Sequence, residues 1–89
     1  MDDAVETRRK RLLYQSGHRG TKESDLLLGA FAAAHLPGFS AAQLERFEAL
    51  LDENDADLFD WIAGRTAPPA AKMSDVLELL LVFKYPGAR

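Results

Sequence analysis

Ser40-Ala41-Ala42-Gln43-Leu44-Glu45-Arg46-Phe47-Glu48-Ala49-Leu50-Leu51 is the stretch on which the fold is decided. It opens with a capping box. A serine hydroxyl accepts from the third helical amide, and the glutamine at that position reaches back to the serine N–H. Leu44, Phe47 and Leu51 then recur at helical spacing and share one face. The pattern predicts a helix from the Ser40 cap to about Asp52 with those three side chains inward.

Working outward, Pro37-Gly38 ends a preceding helical segment of about residues 21–34, in which Leu27, Leu28, Phe31 and Ala34 are expected to share a face. Gly20 or Thr21 is its N-cap, and Glu23 and Asp25 sit in the first turn, where carboxylates meet unpaired amides and the positive end of the helix dipole. Before it, Gly17-His18-Arg19-Gly20 interrupts a first helix of about residues 5–16, with Val5, Leu12 and Leu13 as candidates for its thin apolar stripe. After the deciding stretch, Asp55 can cap a short helix of about residues 56–63, in which Leu58, Phe59, Trp61 and Ile62 supply much bulk, Phe59 and Trp61 are read as core, and Gly64 is placed to end the helix. The last helix starts between Ala70 and Asp75, with Pro69 near its first turn or Ser74 as its cap, and reaches about Lys84. Met73, Val76, Leu77, Leu80 and Leu81 form its stripe, and Tyr85-Pro86-Gly87 stops it. No clean alternation runs for four or more residues between turn signals, so the reading is all-α: a compact single-domain bundle of about five helices, with residues 1–89 as one domain and an ordered core of about residues 5–84.

Composition narrows the function classes. A chain of 89 residues has room for one modest core. With no cysteine there is no disulfide, thiolate metal site or thiol nucleophile. Net charge is −3, split between residues 1–22 (six basic, three acidic, +3) and residues 23–89 (five basic, eleven acidic, −6). An acidic body repels phosphate backbones, so nucleic acid is not the expected partner despite Arg8-Arg9-Lys10-Arg11; that run is either a solvated face or an anchor for an acidic partner. No stretch approaches the roughly 20 apolar residues of a membrane span. The opening Met1-Asp2-Asp3-Ala4-Val5-Glu6 lacks an apolar signal run and the basic character of a presequence, so a bacterial cytoplasm is expected and a mitochondrial matrix is not.

Catalysis finds little to work with. His18 and His35 are the only histidines, and neither belongs to a metal-ligand pairing at helical spacing, so no metal is expected. No nucleophile elbow and no Walker spacing is present. Asn54-Asp55-Ala56-Asp57 lacks the glycine and terminal glutamate of a calcium loop. His18 reads as a polar turn residue rather than a proton shuttle.

The informative stretch runs from Tyr14 to Asp25. Structurally, Gly20 allows a tight corner, Glu23 caps the second helix and Arg19 pairs with Glu23. Functionally, a bare glycine backbone lets another chain approach, and a flanking guanidinium and carboxylate offer oriented hydrogen bonds. Both readings can hold together. Arg19-Gly20-Thr21-Lys22-Glu23 followed by Asp25 resembles the RGxxE signature of the succinate dehydrogenase flavinylation factors, and Asp55-Ala56-Asp57-Leu58-Phe59-Asp60-Trp61 is similar to that family's D-x-D-L-F-x-W segment. The likeness extends over about residues 7–84; it departs at Ser24, where an apolar residue is common, and in the absence of the long tail some relatives carry.

The resemblance implies a five-helix assembly factor that binds the flavoprotein subunit of succinate dehydrogenase, and also of fumarate reductase, and promotes covalent attachment of FAD. The FAD belongs to the partner, so no cofactor of the protein's own is expected, and direct contact with FAD stays open. It assigns partner binding to Arg19, Gly20 and Glu23, with Arg8, Tyr14, His18 and Asp25 as neighbours, no catalytic residues, and a monomer when free. The alternative from another class is a small helical nucleic-acid-binding or regulatory module using the Gly17 to Gly20 corner as a helix-turn-helix, against which Glu23 and Asp25 stand at the start of the would-be recognition helix.

Overall fold

Residues 3–84 are described by a computed structural model. Five helices run in order: α1 (Asp3–Ser16), α2 (Lys22–His35), α3 (Ala41–Leu51), α4 (Asp55–Ala63) and α5 (Asp75–Val82), with single 3-10 turns at Leu36–Gly38 and Ala70–Lys72. Among the described residues there is no strand, so the all-α expectation holds.

The helix starts follow local chemistry. Ser40 and Gln43 form the expected capping box of α3. Thr21, one of the two expected caps, caps α2 by accepting from the Ser24 amide, and the helix proper begins at Lys22. In α4 the cap is Asn54, which accepts from the Asp57 amide, and the expected Asp55 is instead the first helical residue. Two adjacent residues with capping side chains compete there, and the asparagine's success frees the Asp55 carboxylate for another partner. Ser74 caps α5, which ends at Val82 rather than near Lys84; Met73 lies before the helix and is exposed. The stop expected at Tyr85-Pro86-Gly87 lies outside the described residues. Gly64 closes α4 at φ +79°, as placed by the sequence.

One core joins all five helices: Leu12 from α1, Leu28, Phe31 and Ala32 from α2, Leu44, Phe47 and Leu50 from α3, Leu58 and Trp61 from α4, and Val76, Leu77 and Leu80 from α5, with Leu36 and Phe39 from the α2–α3 connection. Phe31 is its hub, within 6.4 Å centroid to centroid of the Phe39, Phe47 and Phe83 rings and tilted against His35. Leu27, expected inward beside Leu28, is only half-buried and stands outside the core, and three further inward assignments shift by a residue or two. Leu13 is 44% exposed, leaving Val5, Leu12 and Ser16 as the inner line of α1. Ala34 is exposed while Ala32 is buried, because the α2 face is set by the neighbours of Phe31. On α3, Leu50 is buried and Leu51 half-buried, since positions three and four beyond Phe47 lie on either side of one stripe. Phe59 is not part of the core at all: Leu58 and Trp61, three apart, take the inward face of α4 and turn Phe59 aside.

Two arginines tie the helices together by donating to backbone carbonyls. Arg9 of α1 donates to the carbonyls of Leu36 and Phe39, so it belongs to the fold and not to a free basic patch. Arg19, in the corner after α1, reaches across to the α3–α4 junction: Nη1 donates to Leu51 O and Nη2 to Glu53 O, both at 2.8 Å, and Nε donates to Asp55 Oδ1 at 2.7 Å. Its side chain is only 13% exposed. Helix α3 leaves its last carbonyls without intrahelical partners, and Arg19 supplies donors for that region. The expected Arg19–Glu23 pair does not form, because the guanidinium is turned inward to carbonyls that would otherwise lack donors. Partial burial pushes the Asp55 carboxyl up. The Arg19 hydrogen bond and charge, with the Ser24 and Thr21 hydroxyls, outweigh that and hold it below its ordinary value.

Replacing Arg19 with Met keeps the apolar stem but strips three hydrogen bonds and strands Asp55, so about 2–4 kcal/mol of stability should be lost, seen as a fall of roughly 10–20 °C in Tm by circular dichroism. A Tm unchanged within a few degrees would show the tie to be idle. The pH sign follows from the lowered carboxyl: the folded state binds fewer protons than the unfolded one, so the Asp55 contribution is full above about pH 4 and is lost as pH falls through the lowered value. Asp75, lowered by the Gln43 hydrogen bond and by Arg46, adds in the same direction. Thermal melts between pH 7 and pH 2.5 should therefore show acid destabilisation that Asp55→Asn makes shallower.

Candidate functional site

The corner between α1 and α2 is held from inside and open outside. Gly20 takes φ +123°, a conformation that side-chain-bearing residues rarely adopt, and a Cβ built on it meets no atom within 4 Å. The bend is therefore bare backbone at the surface. Asp25 clamps it: its Oδ1 accepts from the backbone amides of both Arg19 and Gly20. Asp25 thus serves the geometry of the corner, with one carboxylate oxygen committed to it. Ser24, the departure from the family pattern, is fully buried, and its hydroxyl lies 2.6 Å from Thr21 Oγ1, so the cap itself satisfies it. Beneath, Arg19 anchors the corner to α3 and α4.

The remaining residues singled out in the sequence divide by accessibility. Glu23 is exposed on the first turn of α2 and, among the described residues, has no hydrogen-bond or ion-pair partner. Tyr14 is 65% exposed and stacks on His18, ring centroids 3.9 Å apart, while His18 Nδ1 donates to the Tyr14 carbonyl oxygen at 2.7 Å. That stack gives His18 a structural use on an exposed edge. Arg8 lies 3.7 Å from Glu48 of α3, and Arg11 pairs with the same carboxylate at 2.9 Å. With Arg9 committed to carbonyls, the basic run is largely spent on joining α1 to the rest of the bundle. Among its four members only Lys10 has no partner among the described residues.

The two sequence motifs meet in space. Thr21 and Glu23 from the first, and Asp55, Ala56 and Phe59 from the second, line one shallow hollow together with Arg65. Asp55 joins it to the largely buried Arg19, and Glu23 stands at its rim. A second hollow, lined by Gln15, His18, Arg19, Glu48, Leu51 and Asp52, lies on the other side of the same arginine and is polar. Among the described residues no group of three or more His, Cys, Asp or Glu is placed to hold a metal ion, and no helix is long and apolar enough to cross a membrane. What this corner can offer another molecule is shape, an open backbone and one unpaired carboxylate.

Known proteins share this sequence over most of its length. The chain is 42% identical over 81 residues to succinate dehydrogenase assembly factor 2-B, mitochondrial, of Drosophila persimilis, covering 89% of the chain and 52% of that protein. It is 42% identical over 82 residues to succinate dehydrogenase assembly factor 2, mitochondrial, of Debaryomyces hansenii, covering 88% and 58%. Against the protein of that name from Dictyostelium discoideum it is 41% identical over 76 residues, covering 85% and 54%. The chain spans about half the length of these curated relatives. These relatives are named as mitochondrial, which overturns the expectation of a bacterial cytoplasm drawn from the six opening residues. Residues 10–84 match the family described as flavinator of succinate dehydrogenase, and the chain belongs to that family.

Proposed function

We propose that this protein is an assembly helper that binds the flavoprotein subunit of succinate dehydrogenase and promotes covalent attachment of FAD to it, by docking through the Gly20 and Glu23 edge of the α1–α2 corner. Membership of the flavinator family supports the partner and the outcome. The observation that carries the docking edge is the open backbone at Gly20, with no atom within 4 Å of a built Cβ, beside the unpaired Glu23 carboxylate. Backbone so exposed admits close approach by another chain.

The reacting atoms in this reading belong to the partner: a flavin and the side chain to which it is joined. Reaction needs those atoms held in one near-attack geometry. A helper supplies this by binding one arrangement of the partner more tightly than the others, which takes no catalytic group of its own. Arg19 takes part indirectly, since its guanidinium is occupied within the chain and what it governs is the position of Gly20 and Glu23. The nucleic-acid alternative loses ground, because Arg9 spends its donors on the Leu36 and Phe39 carbonyls, and Arg8 and Arg11 share one surface carboxylate, Glu48.

Glu23→Gln separates docking from folding. The side chain is exposed and unpartnered, so the melting transition should move by no more than about 1 kcal/mol equivalent, the scale of a helix-dipole term. Covalent flavin on the purified flavoprotein subunit, read by in-gel fluorescence after incubation with FAD and helper, should fall roughly tenfold or more relative to the unaltered helper. Gly20→Val, strained at φ +123°, should lose both some stability and the activity. Full flavinylation with folded Glu23→Gln and Gly20→Val would contradict the docking edge, and no gain of covalent flavin from the unaltered helper would contradict the function.

A further inference from the structure

Phe59 has no place in the core. Of the five phenylalanines, Phe31, Phe39 and Phe47 are buried in the core and Phe83 packs against it, while Phe59 is half-buried on the flank of α4. It lines the shallow hollow with Ala56, Thr21, Asp55, Glu23 and Arg65. The charges at the rim are unevenly committed. Asp55 is paired with Arg19, and Arg65 with Asp60 at 2.9 Å, whereas Glu23 has no partner among the described residues. The hollow thus presents an aromatic surface beside one uncompensated negative charge.

We propose that this hollow is the second half of the docking surface: Phe59 and Ala56 receive an apolar side chain of the flavoprotein subunit, and a lysine or arginine next to that side chain meets Glu23. The inference rests on the docking reading above and extends it to α4. Charge complementarity selects the occupant, because a cation is the group that relieves a lone carboxylate bordering an apolar contact. Partly buried aromatics that remain accessible at a surface are the side chains on which interfaces concentrate their affinity. The assignment also gives the second motif a divided use: Leu58 and Trp61 face the core, Asp55 ties down Arg19, and Phe59, half-buried, lines the hollow.

The test is titration of the purified flavoprotein subunit, by calorimetry, with the unaltered chain and with Phe59→Ser, Ala56→Gln and Glu23→Gln. Ala56 is exposed, so a glutamine there fills the hollow without touching the core. Phe59→Ser and Ala56→Gln should each weaken binding about tenfold or more, with a cooperative melt retained. Should Phe59→Ser fail to fold, Phe59 is a core residue and the proposal is wrong on that count. Binding by the unaltered chain together with equally tight binding by both hollow variants overturns the inference alone. No binding by the unaltered chain overturns the docking reading and the inference with it. Self-association of the unaltered chain that Phe59→Ser abolishes, with flavoprotein affinity unchanged, would assign the hollow to a second copy and overturn the proposal.

Discussion

The arrangement depends on one guanidinium. Arg19 donates to the carbonyls of Leu51 and Glu53 and to the Asp55 carboxylate, so three hydrogen bonds from one side chain fix the α1–α2 corner to the α3–α4 junction. A planar fork with fixed donor directions suits this task, and a lysine ammonium in its place would not reproduce the geometry. Because the pair is mostly withdrawn from water, each bond is electrostatically stronger than on an open surface, and breaking one strands the other groups. The apolar core holds the helices together; this polar seam fixes how the corner is presented.

That constraint recasts the two motifs as one unit. The arginine of the first finds its partner in the opening aspartate of the second, 36 residues away. Asp25 completes the frame from the other side by taking the amides of Arg19 and Gly20. What is left outward is small: a glycine at positive φ, a free glutamate, and an aromatic hollow beside them. The motif letters therefore divide into residues that hold the corner and residues that face away from it, a division of labour that adjacency in sequence hides.

Much of the fold was legible because its signals are local. The Ser40 capping box, the Gly64 terminator and the Ser74 alternative each act within one turn, and all three stand where residue chemistry placed them. Features that depend on distant neighbours were not readable. Nothing in one sequence tells Arg19 to choose Asp55 over Glu23, which is nearer in the chain, or Arg9 to choose the Leu36 and Phe39 carbonyls. Phe59 has the bulk of a core residue, but the inward stripe of α4 runs through Leu58, Trp61 and Ile62 at helical spacing, and Phe59 falls beside it. The Asn54 cap lay one residue from the expected Asp55, and that single step decides whether the aspartate is spent on a helix end or on Arg19.

The central claim is that a corner held from within by Arg19 presents its outer edge, with the hollow of α4, to the flavoprotein subunit. Amide hydrogen exchange of the chain, with and without that subunit, tests it most directly. The account predicts that exchange slows at residues 20–23 and 56–59 on binding, while the exposed α3–α5 edge joined by Arg46 and Asp75 is unchanged. Slowing confined to the Arg46 and Asp75 edge, with the corner exchanging as in the free protein, would contradict it.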